Sequence, residues 1–158
     1  MTPEGEKKRA ILAEQGFYLT TPAGHSMEPM LTDREDQVLI RPLTGPARRG
    51  DVLLYETPAG LHALHRVVRR RPGGYLMRGD SCYDREPCLT EDRVIGRMET
   101  FWHGGRETSA DDPAYRRYVR RRLLSYPLRR TLHALRALGA RLTGHRRDRH
   151  DKDGHGRT

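Results

Sequence analysis

The chain has 158 residues, enough for one domain of ordinary size; 35% are hydrophobic and 32% charged, so the core is modest. No apolar run approaches the ~18–20 residues that cross a bilayer, the opening MTPEGEKKRAILAEQGF lacks the uninterrupted apolar stretch of a secretory signal, and an aromatic content of 6% supplies few base-stacking surfaces. The net charge of +9 is concentrated at one end: residues 115–158 hold 14 basic against three acidic residues, a net of +11 that leaves the first 114 residues near −2.

In chain order, Glu4 to Gln15 reads as a short amphipathic helix, with Ala10, Ile11 and Leu12 near one face. Phe17 to Thr20 is rich in strand formers and ends at Thr21-Pro22-Ala23-Gly24. Gln37 to Arg41 is a strand stopped by Pro42, and Leu43 to Gly50 is a loop. Asp51 to Tyr55 and Leu61 to Arg69 form a hairpin around Thr57-Pro58-Ala59-Gly60. Tyr75 to Arg78 follows the turn at Arg71-Pro72-Gly73-Gly74, and Arg93 to Met98 is a strand that residues 99–102 extend. Short strands divided by turn signals argue for a mainly β fold, a barrel or sandwich.

After Asp111-Asp112-Pro113 the pattern becomes helical, with Tyr115, Tyr118, Val119 and Leu123 on one face. Tyr126-Pro127 interrupts it. Leu128, Leu132, Leu135, Leu138 and Leu142 then form an apolar stripe, with Arg129, Arg130, Arg136 and Arg141 largely off it. From Gly144 the sequence has no apolar pattern and is expected to be disordered. The expected organisation is therefore an N-terminal helix at 1–16, a β domain at 17–110, a basic helical extension at 111–143 and a disordered tail at 144–158. The extension either packs on its own domain or meets a partner or an anionic membrane surface. Clustered arginine without aromatic interleaving favours phosphate or lipid contact over base reading, and nucleic acid is the least expected partner.

A hydroxyl nucleophile needs a neighbour that takes its proton near neutral pH. Lysine is present only at positions 7, 8 and 152, in the N-terminal helix and the tail, so a serine–lysine pair inside the β domain is excluded. Histidine remains, and His62, His65 and His103 fall within the β region. His62 and His65 lie three apart on one strand and face opposite sides, which suits one inward base and one exposed ring and opposes a shared metal. His103 reads as a surface residue. Cys82 and Cys88 read as free thiols in a reducing compartment. No metal and no cofactor is expected. Ser26 lies in Ala23-Gly24-His25-Ser26-Met27-Glu28-Pro29-Met30, a bend able to present a hydroxyl and an N–H to one point.

Gly24-His25-Ser26-Met27-Glu28-Pro29 resembles the nucleophile box of type I signal peptidases, in which Ser-Met-x-Pro surrounds the active serine. Arg49-Gly50-Asp51-Val52-Leu53-Leu54-Tyr55 is similar to that family's Gly-Asp-Val strand. Leu64-His65-Arg66-Val67-Val68 resembles the His-Arg-Val block of its endoplasmic-reticulum and archaeal branch, where histidine stands for lysine. Tyr75 to Ser81 with Val94-Ile95-Gly96-Arg97 resembles the closing Gly-Asp-Asn and Val-x-Gly blocks. The resemblance spans about residues 20 to 100. It departs from the family at Gly24, where a serine is frequent, at Ser81 for asparagine, and in lacking a membrane anchor.

The resemblance implies a serine endopeptidase with a signal-peptidase-like β domain. Ser26 would attack the scissile carbonyl and His65 would act as general base. Asp80, Glu86 or Asp84 would hold the imidazole in its working tautomer, with Asp80 ranked first and Glu86 next. With Gly24 in place of a serine, the oxyanion would rest on backbone N–H groups, chiefly that of Ser26. The substrate would be an extended segment of a peptide or precursor protein with small side chains beside the cut, for example a leader on a small ribosomally made peptide. The expected location is cytoplasmic, at most peripheral to a membrane. The rival reading is a non-enzymatic binding protein that uses the basic helices to contact anionic membrane or nucleic acid.

Overall fold

The structure is a computed structural model that describes residues 1–83 and 88–150. The fold is mainly β, as expected. Helix α1 (Pro3–Gln15) comes first, capped by the Thr2 side chain and ended by Gly16 in the left-handed conformation. Eight strands follow: β1 (Tyr18–Thr20), β2 (Gln37–Arg41), β3 (Val52–Glu56), β4 (His62–Arg71), β5 (Gly74–Arg78), β6 (Cys88–Thr90), β7 (Val94–His103) and β8 (Arg106–Ser109). Helix α2 (Pro113–His150) comes last. The strands form one antiparallel sheet in the order β1-β2-β7-β3-β4-β5-β6, with β8 on β7. Among the described residues the strands form an open sheet, where the sequence reads as a barrel or sandwich.

Strand β3 is buried along its whole length because both its faces are covered. Alternation sends Val52 and Leu54 into one core with Leu12, Met27, Ile40, Met98 and Phe101. Leu53 and Tyr55 go into the other with Val67, Tyr75, Met77 and Val94. Strand β4 divides in the same way. Leu64 belongs to the first core and Val67 to the second, so His65 and Arg66, adjacent in sequence, serve opposite faces.

Three expectations about organisation change. The chain divides into compact units at Met1–Leu123 and from Leu124 onward, not at residue 110. The reason is that the start of α2 belongs to the first core through Tyr115, Tyr118 and Val119. Helix α2 also runs through Pro127, where an interruption was expected. An interior proline costs about 3 kcal/mol, and the leucine, arginine and alanine runs on both sides are strong helix formers that offset it. Finally, α2 continues to His150, so residues 144–150 are helical rather than disordered; their arginines favour helix without any apolar face. The remaining tail, 151–158, lies outside the described residues. No helix among the described residues is long and apolar enough to cross a membrane.

Candidate active site

Ser26 sits in the loop between β1 and β2, and this loop is braced from three directions. The Gly24 N–H donates to Asp33 Oδ1 at 2.6 Å. Gly24 itself takes a φ of +98°, which favours glycine. The Arg34 N–H donates to the Pro22 carbonyl at 3.0 Å. The third brace is the Gly79-Asp80-Ser81 turn. The Ser81 N–H donates to the Ser26 carbonyl at 2.9 Å, and the Ser81 hydroxyl donates to the His25 carbonyl at 2.6 Å. A Cβ on Gly79 would stand 2.6 Å from the Ser26 carbonyl oxygen, so only glycine allows this approach.

His65 projects from β4 to meet the loop. Its Nε2 lies 3.0 Å from Ser26 Oγ, and its Nδ1 lies 2.9 Å from the Tyr55 hydroxyl. For Nε2 to accept from Ser26, Nδ1 must carry the ring proton and donate to Tyr55 Oη. Tyr55 reaches His65 because β3 pairs Tyr55 with Ala63, which makes Tyr55 and His65 diagonal neighbours on one face. Their ring centroids are 5.9 Å apart. Tyr55 was missed at the sequence level. The hairpin register was the signal that could have found it.

Asp80, ranked first to orient the imidazole, is placed against Arg66 and Tyr118. Its carboxylate accepts from Arg66 Nε at 2.8 Å and Nη2 at 2.6 Å, and from the Tyr118 hydroxyl at 3.0 Å. Arg66 is 1% exposed and Asp80 4%. The guanidinium also donates to the Gly50 carbonyl and the Tyr115 hydroxyl. Burial alone would depress the Arg66 pKa, but the Asp80 carboxylate and the Tyr115 hydroxyl beside it raise it. Burial and the adjacent Asp80 charge likewise push the Tyr118 phenol up. The physical reason for this placement is strand alternation: Arg66 points to the face opposite His65, and Asp80 follows Arg66. Glu86 and Asp84, the other two candidates, lie outside the described residues.

A cleft of about 250 Å³ opens beside Ser26, with residues 20–24 on one side and residues 62–65 on the other. Strand β3 pairs with β4 over His62–Arg66, whereas β5 pairs with it only from Arg66 onward. Among the described residues, positions 62–65 therefore pair in the sheet with β3 and not with β5, and all four line the cleft.

His62 is not the exposed ring expected from its parity. Its side chain is 13% exposed because α1 covers it, with Lys8 Nζ 2.7 Å from Nδ1. The cleft is lined by consecutive residues of β4, so side chains from both faces of the strand border it. Lys8 borders it too, against the expectation that the helix lysines stay away from the β domain. Its ammonium lies 2.7 Å from Glu4 Oε1 as well as against His62, while Ser26 Oγ is met by His65. His103 lies at the surface with its Nδ1 2.7 Å from Asp36 Oδ2. Burial pushes the Asp36 carboxyl up, but His103 and the Thr32 N–H outweigh it and hold the pKa low. Cys82 and Cys88 are not joined in a disulfide. Among the described residues no group of three His, Cys, Asp or Glu side chains converges in a way that could hold a metal.

Comparison with models of known protein families finds no match, and comparison with curated proteins finds none either.

Proposed function

We propose that this chain is a serine endopeptidase that hydrolyses an extended peptide segment through an acyl-enzyme on Ser26, with His65 as general base. One observation carries the reading: a serine hydroxyl 3.0 Å from a histidine Nε2 at the wall of a cleft that residues 62–65 also line. The substrate lies extended along residues 62–65, which line the cleft, the usual way an extended peptide meets a sheet. This brings its scissile carbonyl to Ser26. Attack by Oγ forms the C–O bond while Nε2 takes the hydroxyl proton. The oxyanion is met by the Ser26 N–H. Collapse breaks the C–N bond, and the imidazolium returns the proton to the leaving amine. Water, deprotonated by His65, then releases the acyl group and restores Ser26. Tyr55 is a positioning residue that keeps Nε2 free to accept. The resemblance to signal peptidases supports small side chains beside the cut and a leader- or signal-like precursor as substrate.

The test is a serine-directed fluorophosphonate probe followed by mapping of the adduct by mass spectrometry. A single adduct on Ser26, lost in a folded His65→Ala variant, is the expected result. Labelling at another serine, or equal labelling of Ser26 without His65, contradicts the reading.

A further inference from the structure

From Leu124 onward, α2 carries a row of large apolar side chains that face water. Leu124, Leu128, Leu132, Leu135 and Leu138 are 68%, 64%, 43%, 59% and 56% exposed. Their spacing of four, four, three and three residues puts them on one stripe of the helix. Scattered exposed leucines are ordinary, but a contiguous row marks a contact surface.

The charge on the same helix selects the partner. Between Pro113 and Arg147 there is no acidic residue and there are 11 arginines. Within the leucine segment, Arg129, Arg130 and Arg136 sit on the flank and back of the stripe, at positions about 100° or more from its centre line. A second copy of this helix would bring arginine against arginine with no carboxylate to pair it, which opposes self-association. Nucleic acid would take the arginines and leave the leucines in water. A surface that is anionic at its face and apolar just beneath satisfies both sets of side chains at once.

We infer that α2 from Leu124 onward is a peripheral docking helix that lies in the plane of an anionic phospholipid surface. The leucines enter the boundary between headgroups and acyl chains, and the arginines reach back to the lipid phosphates along their aliphatic stems. Nothing in this depends on the peptidase reading.

The full-length protein is tested by co-sedimentation with vesicles of phosphatidylcholine and phosphatidylglycerol, and of phosphatidylcholine alone. Binding is expected only with the anionic vesicles, and it should fall at least about tenfold as salt rises from low ionic strength to ~0.5 M, because the attraction is screened. The variant Leu132→Gln/Leu135→Gln keeps helix propensity and alters exposed positions only. It should retain the circular dichroism of the parent and lose at least about tenfold in binding. A Leu135→Trp variant gives a second measurement: its indole emission should shift to the blue on anionic vesicles and stay unshifted on neutral ones. Failure of the parent protein to bind anionic vesicles at low salt overturns the inference. So does unchanged binding by the Leu→Gln variant, which would leave arginine contact alone, and so does an unshifted indole. Concentration-dependent dimerisation through the stripe, or binding to duplex nucleic acid in place of vesicles, overturns it in favour of those partners.

Discussion

His65 and Arg66 are neighbours in the chain and belong to different chemistries, because one residue of strand turns the side chain to the other face. His65 meets Ser26 and Tyr55. Arg66 meets Asp80 with two parallel hydrogen bonds in a nearly dry setting. Breaking such a pair from one side leaves a buried charge without its partner, and this costs about 3–5 kcal/mol. Asp80→Ala should therefore lose about that much in denaturant unfolding. An Asp80→Ala protein of parental stability that lost cleavage would instead return Asp80 to the role of orienting the imidazole. The proposed nucleophile and base were legible in the sequence through the resemblance of their blocks to those of signal peptidases, since a serine in a bend with Gly24 and Pro29 is by itself an ordinary turn former. The partner of Asp80 was not, since it depends on which face of β4 each side chain takes. Counting alternation from His65 would have placed Arg66 opposite it, and an inward arginine needs a buried carboxylate.

At the scale of elements, strands β2, β3, β4, β5 and β7 were legible as apolar runs bounded by proline and glycine. Strands β6 and β8 were not. Cys-Leu-Thr and Arg-Glu-Thr-Ser carry little apolar pattern, and their strand state comes from pairing with β5 and β7. The cover that α1 gives to the His62 ring was also invisible, because it is set by long-range contacts: Leu12 enters the first core, Arg9 donates to the Val94 carbonyl, and Thr2 is tied to Glu56. Both the Thr2 N–H and the Thr2 hydroxyl donate to Glu56 Oε2, at 2.8 and 2.6 Å. The hydroxyl first, and then the N–H, hold the Glu56 carboxyl below its ordinary value of 4.5. A depressed carboxylate pKa means the tie is complete above that ordinary value and is lost as pH falls through the lower, folded one. Hydrogen exchange in α1 should thus accelerate as pH drops below about 4.5, after correction for intrinsic rates. In Glu56→Gln, α1 should be less protected at neutral pH and show little further acid dependence. An acid response that survives Glu56→Gln unchanged would assign the effect to another group.

For the whole molecule, the sheet brings two chain segments distant in sequence to one cleft. The braced loop that carries Ser26 and residues 62–65 of β4 both line it. If they form one catalytic unit, removal of either member should cost nearly as much as removal of both. The decisive measurement is kcat/KM on a peptide selected by cleavage from a library, for the parent, Ser26→Ala, His65→Ala and the double variant, with folding checked by circular dichroism. Each single variant should lose at least about a thousandfold and the double variant little more, while His62→Ala, which removes a ring that meets Lys8 rather than Ser26, should stay within about tenfold of the parent. Retained cleavage in folded Ser26→Ala, or losses that multiply in the double variant, would contradict a Ser26–His65 unit.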